Sequence, residues 1–155
     1  MGQSKELTKL PPMELEEAPT RLRGKPSWLI SKAAARAHRL IAEATATAGG
    51  RAYHFAILAA LDEFGPDSQV RIGQRCGIDQ SDMHTMLAEL KEQGHVTRTS
   101  DPRDRRRNLI TLTPAGHQRL EELDSALSAV QEDLLNALSP TERNHLAALL
   151  TRVLD

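Results

Sequence analysis

Residues 101–107 read Asp101-Pro102-Arg103-Asp104-Arg105-Arg106-Arg107. From Arg98 to Arg107, five arginines (Arg98, Arg103, Arg105, Arg106 and Arg107) stand against two aspartates, a local charge of +3. Cations packed this densely repel one another and make a poor turn for stability alone. Phosphates relieve that repulsion, and arginine suits the narrow minor groove, where the potential is most negative. Asp101 and Asp104 are expected to structure the loop by pairing with neighbouring guanidinium groups. Both flanks are β-prone: His95 to Thr99 before the loop, and the alternating Asn108-Leu109-Ile110-Thr111-Leu112-Thr113 after it. The stretch predicts a hairpin with a cationic tip.

Upstream, the pattern is helical. Asp79 is a suitable N-cap for a helix over about Gln80 to Gln93, stopped by Gly94. Its apolar positions Met83, Met86, Leu87 and Leu90 form one stripe, which turns Gln80, Ser81, His84, Thr85 and Ala88 elsewhere. Before it, Gln69 to Cys76 reads as a short helix carrying Val70 and Ile72, with Ser68 at its start and Gly77 as the turn after it. A helix over about Ala52 to Phe64, with Phe55, Leu58, Ala59 and Phe64 on its apolar side, ends at Gly65-Pro66. A longer one opens at Pro26-Ser27, carries Trp28, Leu29, Ala33, Ala37, Leu40, Ile41 and Ala44, and stops at Gly49-Gly50.

Downstream, Thr113-Pro114 starts a long helix with Leu120, Leu123, Leu127, Val130, Leu134 and Leu138. Ser139-Pro140-Thr141-Glu142 starts a last one. Short helix, glycine turn, amphipathic helix and hairpin, in that order, make a winged helix-turn-helix.

Residues 90–98 (Leu90-Lys-Glu-Gln-Gly94-His-Val96-Thr-Arg98), the Asp101-Pro-Arg103-Asp104-Arg-Arg106 loop and Leu112-Thr113-Pro-Ala-Gly116 together resemble the MarR family of regulators. That family is marked by Asp-x-Arg-Asp-x-Arg followed by Leu-Thr-x-x-Gly. The resemblance covers about Ser27 to Leu154. It implies a mainly α fold with a small β-hairpin wing: a winged helix-turn-helix lobe (about 52–113) plus a helical dimerisation lobe (about 26–48 and 114–155) in a triangular homodimer. Residues 1–25 are expected to be a flexible arm or a short helix.

The resemblance places the helix from Gln80 in the major groove, with Gln80, Ser81, His84 and Thr85 at bases or phosphates. Asp82 is ill-suited to phosphate. Arg103 would enter the minor groove, Arg98, Arg105, Arg106 and Arg107 would serve phosphates or loop structure, and Ser68 and Gln69 would contact backbone. The expected partners are a near-palindromic double-stranded DNA operator, a second copy of the chain and a small aromatic or phenolic effector. Candidate effector residues are Trp28, His38 and Arg39 on the first helix and His54 and Phe55 on the second; each also reads as an interface or core residue. A ligand-independent architectural or silencing DNA binder of the same fold is the alternative, and an interaction module without DNA binding a third reading.

The composition sets bounds. The chain has 155 residues and a net charge of -1, so DNA binding must rest on clustered rather than global positive charge. Aromatic residues make up 3%, leaving the core to aliphatic side chains. No apolar run reaches bilayer length and no signal peptide is read at the N-terminus, which points to the cytoplasm. Cys76, the single cysteine, has no partner for an internal disulfide and reads as a small buried apolar residue. Six dispersed histidines argue against a metal site; His117 with Glu121 would be half of one. No phosphate-binding glycine loop, nucleophile elbow or His-Glu-x-x-His pattern occurs, so neither catalysis nor a cofactor is expected.

Overall fold

The computed structural model describes residues 14–155. Of the arm expected over residues 1–25, positions 1–13 lie outside the described residues. The rest holds a 3-10 turn at Leu15–Glu17 and a four-residue helix α1, Thr20–Arg23. There follow α2 (Pro26–Thr47), α3 (Ala52–Phe64), α4 (Gln69–Cys76), α5 (Gln80–Glu92), β1 (Val96–Ser100), β2 (Asn108–Leu112), α6 (Pro114–Leu134) and α7 (Pro140–Leu154). No described helix is long and apolar enough to cross a membrane.

The contacts divide the chain into two units. One is Ala44–Leu127; the other takes the described residues up to Glu43 together with Ser128–Asp155. The first is the winged unit. Its core joins Ile57, Leu58 and Leu61 of α3, Ile72 of α4, Met83, Leu87 and Leu90 of α5, Val96 and Ile110 of the hairpin, and Leu120 and Leu123 of α6. Met83, Leu90 and Leu123 are fully enclosed. The apolar stripe read from α5 thus faces inward. Two apolar residues do not. Phe64 and Val70 are each 51% exposed. Phe64 lies under the Arg75 guanidinium, 4.1 Å from the ring centre, where the cation meets the ring's negative face.

The joints between elements follow from capping chemistry. Ser68 accepts from the Arg71 amide, and Asp79 from the Asp82 amide. Gly77 ends α4 in the left-handed conformation, which only glycine adopts cheaply. In the second unit, Ser139 and Glu142 form a reciprocal capping box at the start of α7. Donation from Ser139 holds the Glu142 carboxyl below the usual carboxylate range.

β1 and β2 pair antiparallel, with Val96 opposite Leu112, Arg98 opposite Ile110 and Ser100 opposite Asn108. Asp67, just ahead of α4, adds a short third rung: its amide donates to the Ile110 carbonyl and its carbonyl accepts from the Ile110 amide. The Asp67 carboxylate also accepts from the Ser68 amide at 2.8 Å and lies 3.8 and 3.7 Å from Arg71 and Arg75. One residue therefore ties the start of α4 to the base of the wing.

Candidate nucleic-acid interface

The wing tip is built by its two aspartates, although not by the expected pairing with arginine. The Arg103 amide donates to Asp101 Oδ1 at 2.8 Å, and the Arg106 amide to Asp104 Oδ1 at 3.0 Å. The Asp104 amide donates to the Asp101 carbonyl, and the Arg107 amide to the Asp104 carbonyl. Each aspartate opens one β-turn and braces it with its side chain, so a spacing of three residues yields two consecutive turns. Pro102 sits where a turn favours proline. The Asp101 amide donates to the Arg107 carbonyl and closes the loop.

This geometry corrects the expected guanidinium–carboxylate pairing. Backbone amides already lie in the loop beside each carboxylate, so the turns need no side chain from an arginine. No ion pair among the described residues involves Arg98, Arg103, Arg105, Arg106 or Arg107, and all five are exposed.

A test separates the two roles. Asp104→Asn keeps the turn-bracing acceptor and removes a negative charge, so DNA affinity should hold or rise. Asp104→Ala removes the acceptor, costs about 1 kcal/mol of loop order, and should weaken binding about fivefold. Equal losses in both variants, measured by fluorescence anisotropy, would restore the charge-pairing account.

On α5, Gln80, Ser81, His84, Thr85 and Ala88 are exposed and Asp82 is half-buried. The Thr85 hydroxyl donates to the Ser81 carbonyl at 3.3 Å. Ser68 and Gln69 are half-buried at the start of α4. They meet Gln80, Arg98 and Asn108 around an open groove of about 310 Å³. A second hollow, about 160 Å³, lies among His84, Lys91 and Arg98. Thus α4, α5 and the hairpin bring Ser68, Gln69, Gln80, His84 and Arg98 together on one face of the winged unit. Asn108 and Lys91 join this face, and sequence reading did not single them out.

The candidate effector residues are divided between the two units. Trp28 is half-buried with Lys32 Nζ 5.5 Å from its ring centre, His38 is exposed, and Arg39 is half-buried. In the winged unit, Phe55 packs against the core and His54 is 2% exposed. Glu89 Oε2 lies 3.0 Å from His54 Nε2, and Glu89 Oε1 lies 3.0 Å from Arg51. The approach to His54 is close but poorly directed, leaving Nε2 without a well-formed hydrogen bond.

Burial pulls the His54 imidazole below its usual range, with Glu89 opposing and Arg51 and Arg119 assisting. His95 shifts the same way through burial and Arg119. The unfolded chain therefore binds more protons than the folded one between the depressed folded values and pH about 6.5. Stability is fully present above pH about 6.5 and is lost as pH falls through the folded values. Melting temperature should drop from pH 7.5 to 5.5, and His54→Gln should flatten part of that drop. An unchanged slope in the variant would remove His54 from this account.

Cys76 is half-buried, and its thiol donates to the Ala56 carbonyl at 3.3 Å. Burial pushes that thiol up, away from the reactive thiolate. His117 lies 3.0 Å from Asp62 rather than pairing with Glu121. No group of three or more metal-ligating side chains is found among the described residues.

A model described as the MarR family matches residues 50–107, the span that holds α3 to the wing tip. A probable transcriptional regulator from Pseudomonas aeruginosa, solved by crystallography, is 31% identical with a TM-score of 0.77, covering 86% of this chain and 99% of that one. BpsR of Bordetella bronchiseptica, whose DNA binding is regulated by 6-hydroxynicotinic acid, is 27% identical with a TM-score of 0.78, covering 89% and 99%. The HTH-type transcriptional repressor NicR of Pseudomonas putida is 29% identical over 101 residues, 65% of this chain and 64% of NicR. The chain spans about half to two thirds of the length of the curated relatives it matches. With the braced wing, the outward polar face of α5 and a structural match over 86% of its length, the chain belongs to the MarR family of transcriptional regulators.

Proposed function

We propose that the chain is a ligand-responsive repressor that binds a near-palindromic double-stranded DNA operator as a homodimer and is released by a small aromatic acid. The observation that carries the DNA reading is the wing: five exposed arginines without an ion pair among the described residues, on a loop shaped by its own aspartates, beside the exposed polar face of α5. In this reading Gln80, Ser81, His84 and Thr85 meet base edges or phosphates in the major groove, Arg103 enters the minor groove, and Arg98, Arg105, Arg106 and Arg107 meet phosphate. Ser68 and Gln69 add backbone contacts from α4.

Large apolar side chains stand exposed in the unit formed by the two ends of the chain: Leu22, Leu29 and Ile30 near its start, and Leu149, Leu150 and Val153 on α7. A second copy would cover them, and a two-fold dimer reads a two-fold operator. The aromatic-acid effector is supported by the regulation of BpsR's DNA binding by 6-hydroxynicotinic acid, and Trp28, His38 and Arg39 of α2 are the residues this reading assigns to it.

Selection of genomic fragments by the purified protein tests the reading. The expected result is an inverted repeat with half-sites about one helical turn apart, bound with a steep salt dependence. Titration with 6-hydroxynicotinic acid and hydroxybenzoates should then weaken the complex and change the emission of Trp28, the only tryptophan. A selected operator indifferent to every such acid would favour a ligand-independent architectural protein, and failure to enrich any sequence would overturn specific binding.

A further inference from the structure

Helix α4 sends its two branched aliphatic residues to different places. Ile72 is enclosed in the core of the winged unit, whereas Val70 is 51% exposed. Val70 lines the open groove with Ser68, Gln69, Gln80, Arg98 and Asn108. Of the described residues around this groove, Val70 alone is both apolar and exposed, since Ile110 is buried. Its neighbours bring carboxamides, a hydroxyl and a guanidinium. Valine is also a poorer helix former than alanine or the long polar residues, so neither core packing nor helix propensity accounts for it here.

Gly73 brings Gln80 against α4. Residues three apart are neighbours on a helix surface, so Gly73 lies one turn along from Val70. A Cβ at Gly73 would stand 2.9 Å from Gln80 Nε2 and 3.0 Å from the Ile78 carbonyl oxygen. Without a side chain at that position, the Gln80 carboxamide lies on α4 itself. The groove thus presents a carboxamide and an isopropyl group from neighbouring turns.

That pair has a chemical complement in the major groove. An A·T pair offers adenine N7 and N6, which a glutamine bonds bidentately, and the thymine 5-methyl group, which takes an apolar contact. We infer that Val70 is a specificity-determining residue that packs on the 5-methyl group of a thymine in the base step read by Gln80. This rests on the reading that the chain binds a DNA operator as a homodimer through α4, α5 and the wing. Phosphate contacts from Ser68 and Gln69 position the helix without carrying sequence information; Val70 adds discrimination.

Deoxyuridine in place of thymidine keeps every base-pairing hydrogen bond and removes only the methyl group. The operator selected by the purified protein is scanned with it, one thymine position of each half-site at a time. Wild type, Val70→Ala, Val70→Thr and Gln80→Ala are compared by anisotropy, with a random duplex of equal length alongside. Alanine shortens the side chain and favours the helix, and threonine keeps its shape while exchanging a methyl group for a hydroxyl. Because Val70 is exposed, both Val70 variants should melt close to wild type.

Wild type should lose about fourfold per half-site at one thymine position, so about 15-fold for the symmetrical change. That position should lie in the step where Gln80→Ala loses its preference for adenine. Val70→Ala should bind the unmodified operator about as weakly as wild type binds this deoxyuridine operator, and lose nothing more when the methyl group is removed there. Its response at other thymines and its random-duplex affinity should match wild type, and Val70→Thr should fall between. A Val70→Ala protein as sensitive to that deoxyuridine as wild type, or a wild type indifferent to every deoxyuridine, overturns the inference while operator binding stands. Equal weakening of operator and random duplex in Val70→Ala, without dependence on the methyl group, makes the contact one to sugar and phosphate and overturns it too. Failure to enrich any operator is a different result: it overturns the operator reading, and this inference with it.

Discussion

Arg103→Ala is expected to lower operator affinity on the order of 100-fold while leaving the protein folded and its oligomeric state unchanged. Arg103 is exposed and forms none of the ion pairs found among the described residues. Its amide, which alanine retains, makes the bond to Asp101. The loop therefore loses only the guanidinium. One arginine placed in a narrow minor groove contributes about 1–2 kcal/mol, and the proposed dimer inserts two, so the losses multiply. The slope of log affinity against log salt should also fall by about 2, one released counterion per wing. Arg105→Ala, at a position without a groove assignment, should cost less. Unchanged affinity for Arg103→Ala at moderate salt would leave the wing without its assigned role. A loss equal to that of Arg105→Ala would reduce the wing to a diffuse cationic patch.

The sequence made the element order and the inward stripe of α5 legible because both rest on local signals. Periodicity placed Met83, Met86, Leu87 and Leu90 inside, and the caps Ser68, Asp79 and Ser139 marked helix starts within one turn. Charge density identified the wing, but its internal wiring was misjudged. The count of arginines and aspartates suggested ion pairs, whereas a spacing of three residues was the signature of consecutive braced turns. Backbone amides next to an aspartate in sequence reach its carboxylate before a flexible guanidinium does.

What stayed illegible was long-range. Nothing in the neighbourhood of Asp67 reveals that it pairs with Ile110 or gathers Arg71 and Arg75. Phe64 counts as a core residue by pattern, yet its ring lies exposed beneath Arg75, a partner eleven positions further along the chain. His54 read as an interface histidine, with a ligand contact as the other reading. Its link to Glu89 joins two helices, and no spacing rule connects position 54 to position 89.

Gly116→Ala is the substitution expected to cost the fold most, and it explains a residue that the sequence marked without giving a reason. Thr113 caps α6 with a hydroxyl that accepts from the Gly116 amide at 3.0 Å and donates to the Gly94 carbonyl at 2.7 Å. The Thr113 amide in turn donates to the His95 carbonyl. The first turn of α6 is thereby drawn onto the backbone where α5 ends and β1 begins. At that approach Gly116 is buried, and a Cβ would collide with the His95 carbonyl oxygen and lie 2.8 Å from Leu112 Cδ1. The leucine could turn aside; the carbonyl could not, since it is fixed between α5 and β1. Alanine gains about 1 kcal/mol of helix propensity over glycine, and forced backbone displacement offsets that several times over. A net loss of about 2–3 kcal/mol follows, a melting temperature lower by roughly 5–10 °C. Gly24→Ala is the control: its Cβ would meet only the Thr20 carbonyl at 3.6 Å, so stability should be unchanged or slightly raised. Because the displaced segment carries the wing, Gly116→Ala should weaken operator binding even below its melting temperature. Wild-type stability in this variant would mean that α6 can slide away from His95 freely, and the close approach would then not be what selects glycine at this position.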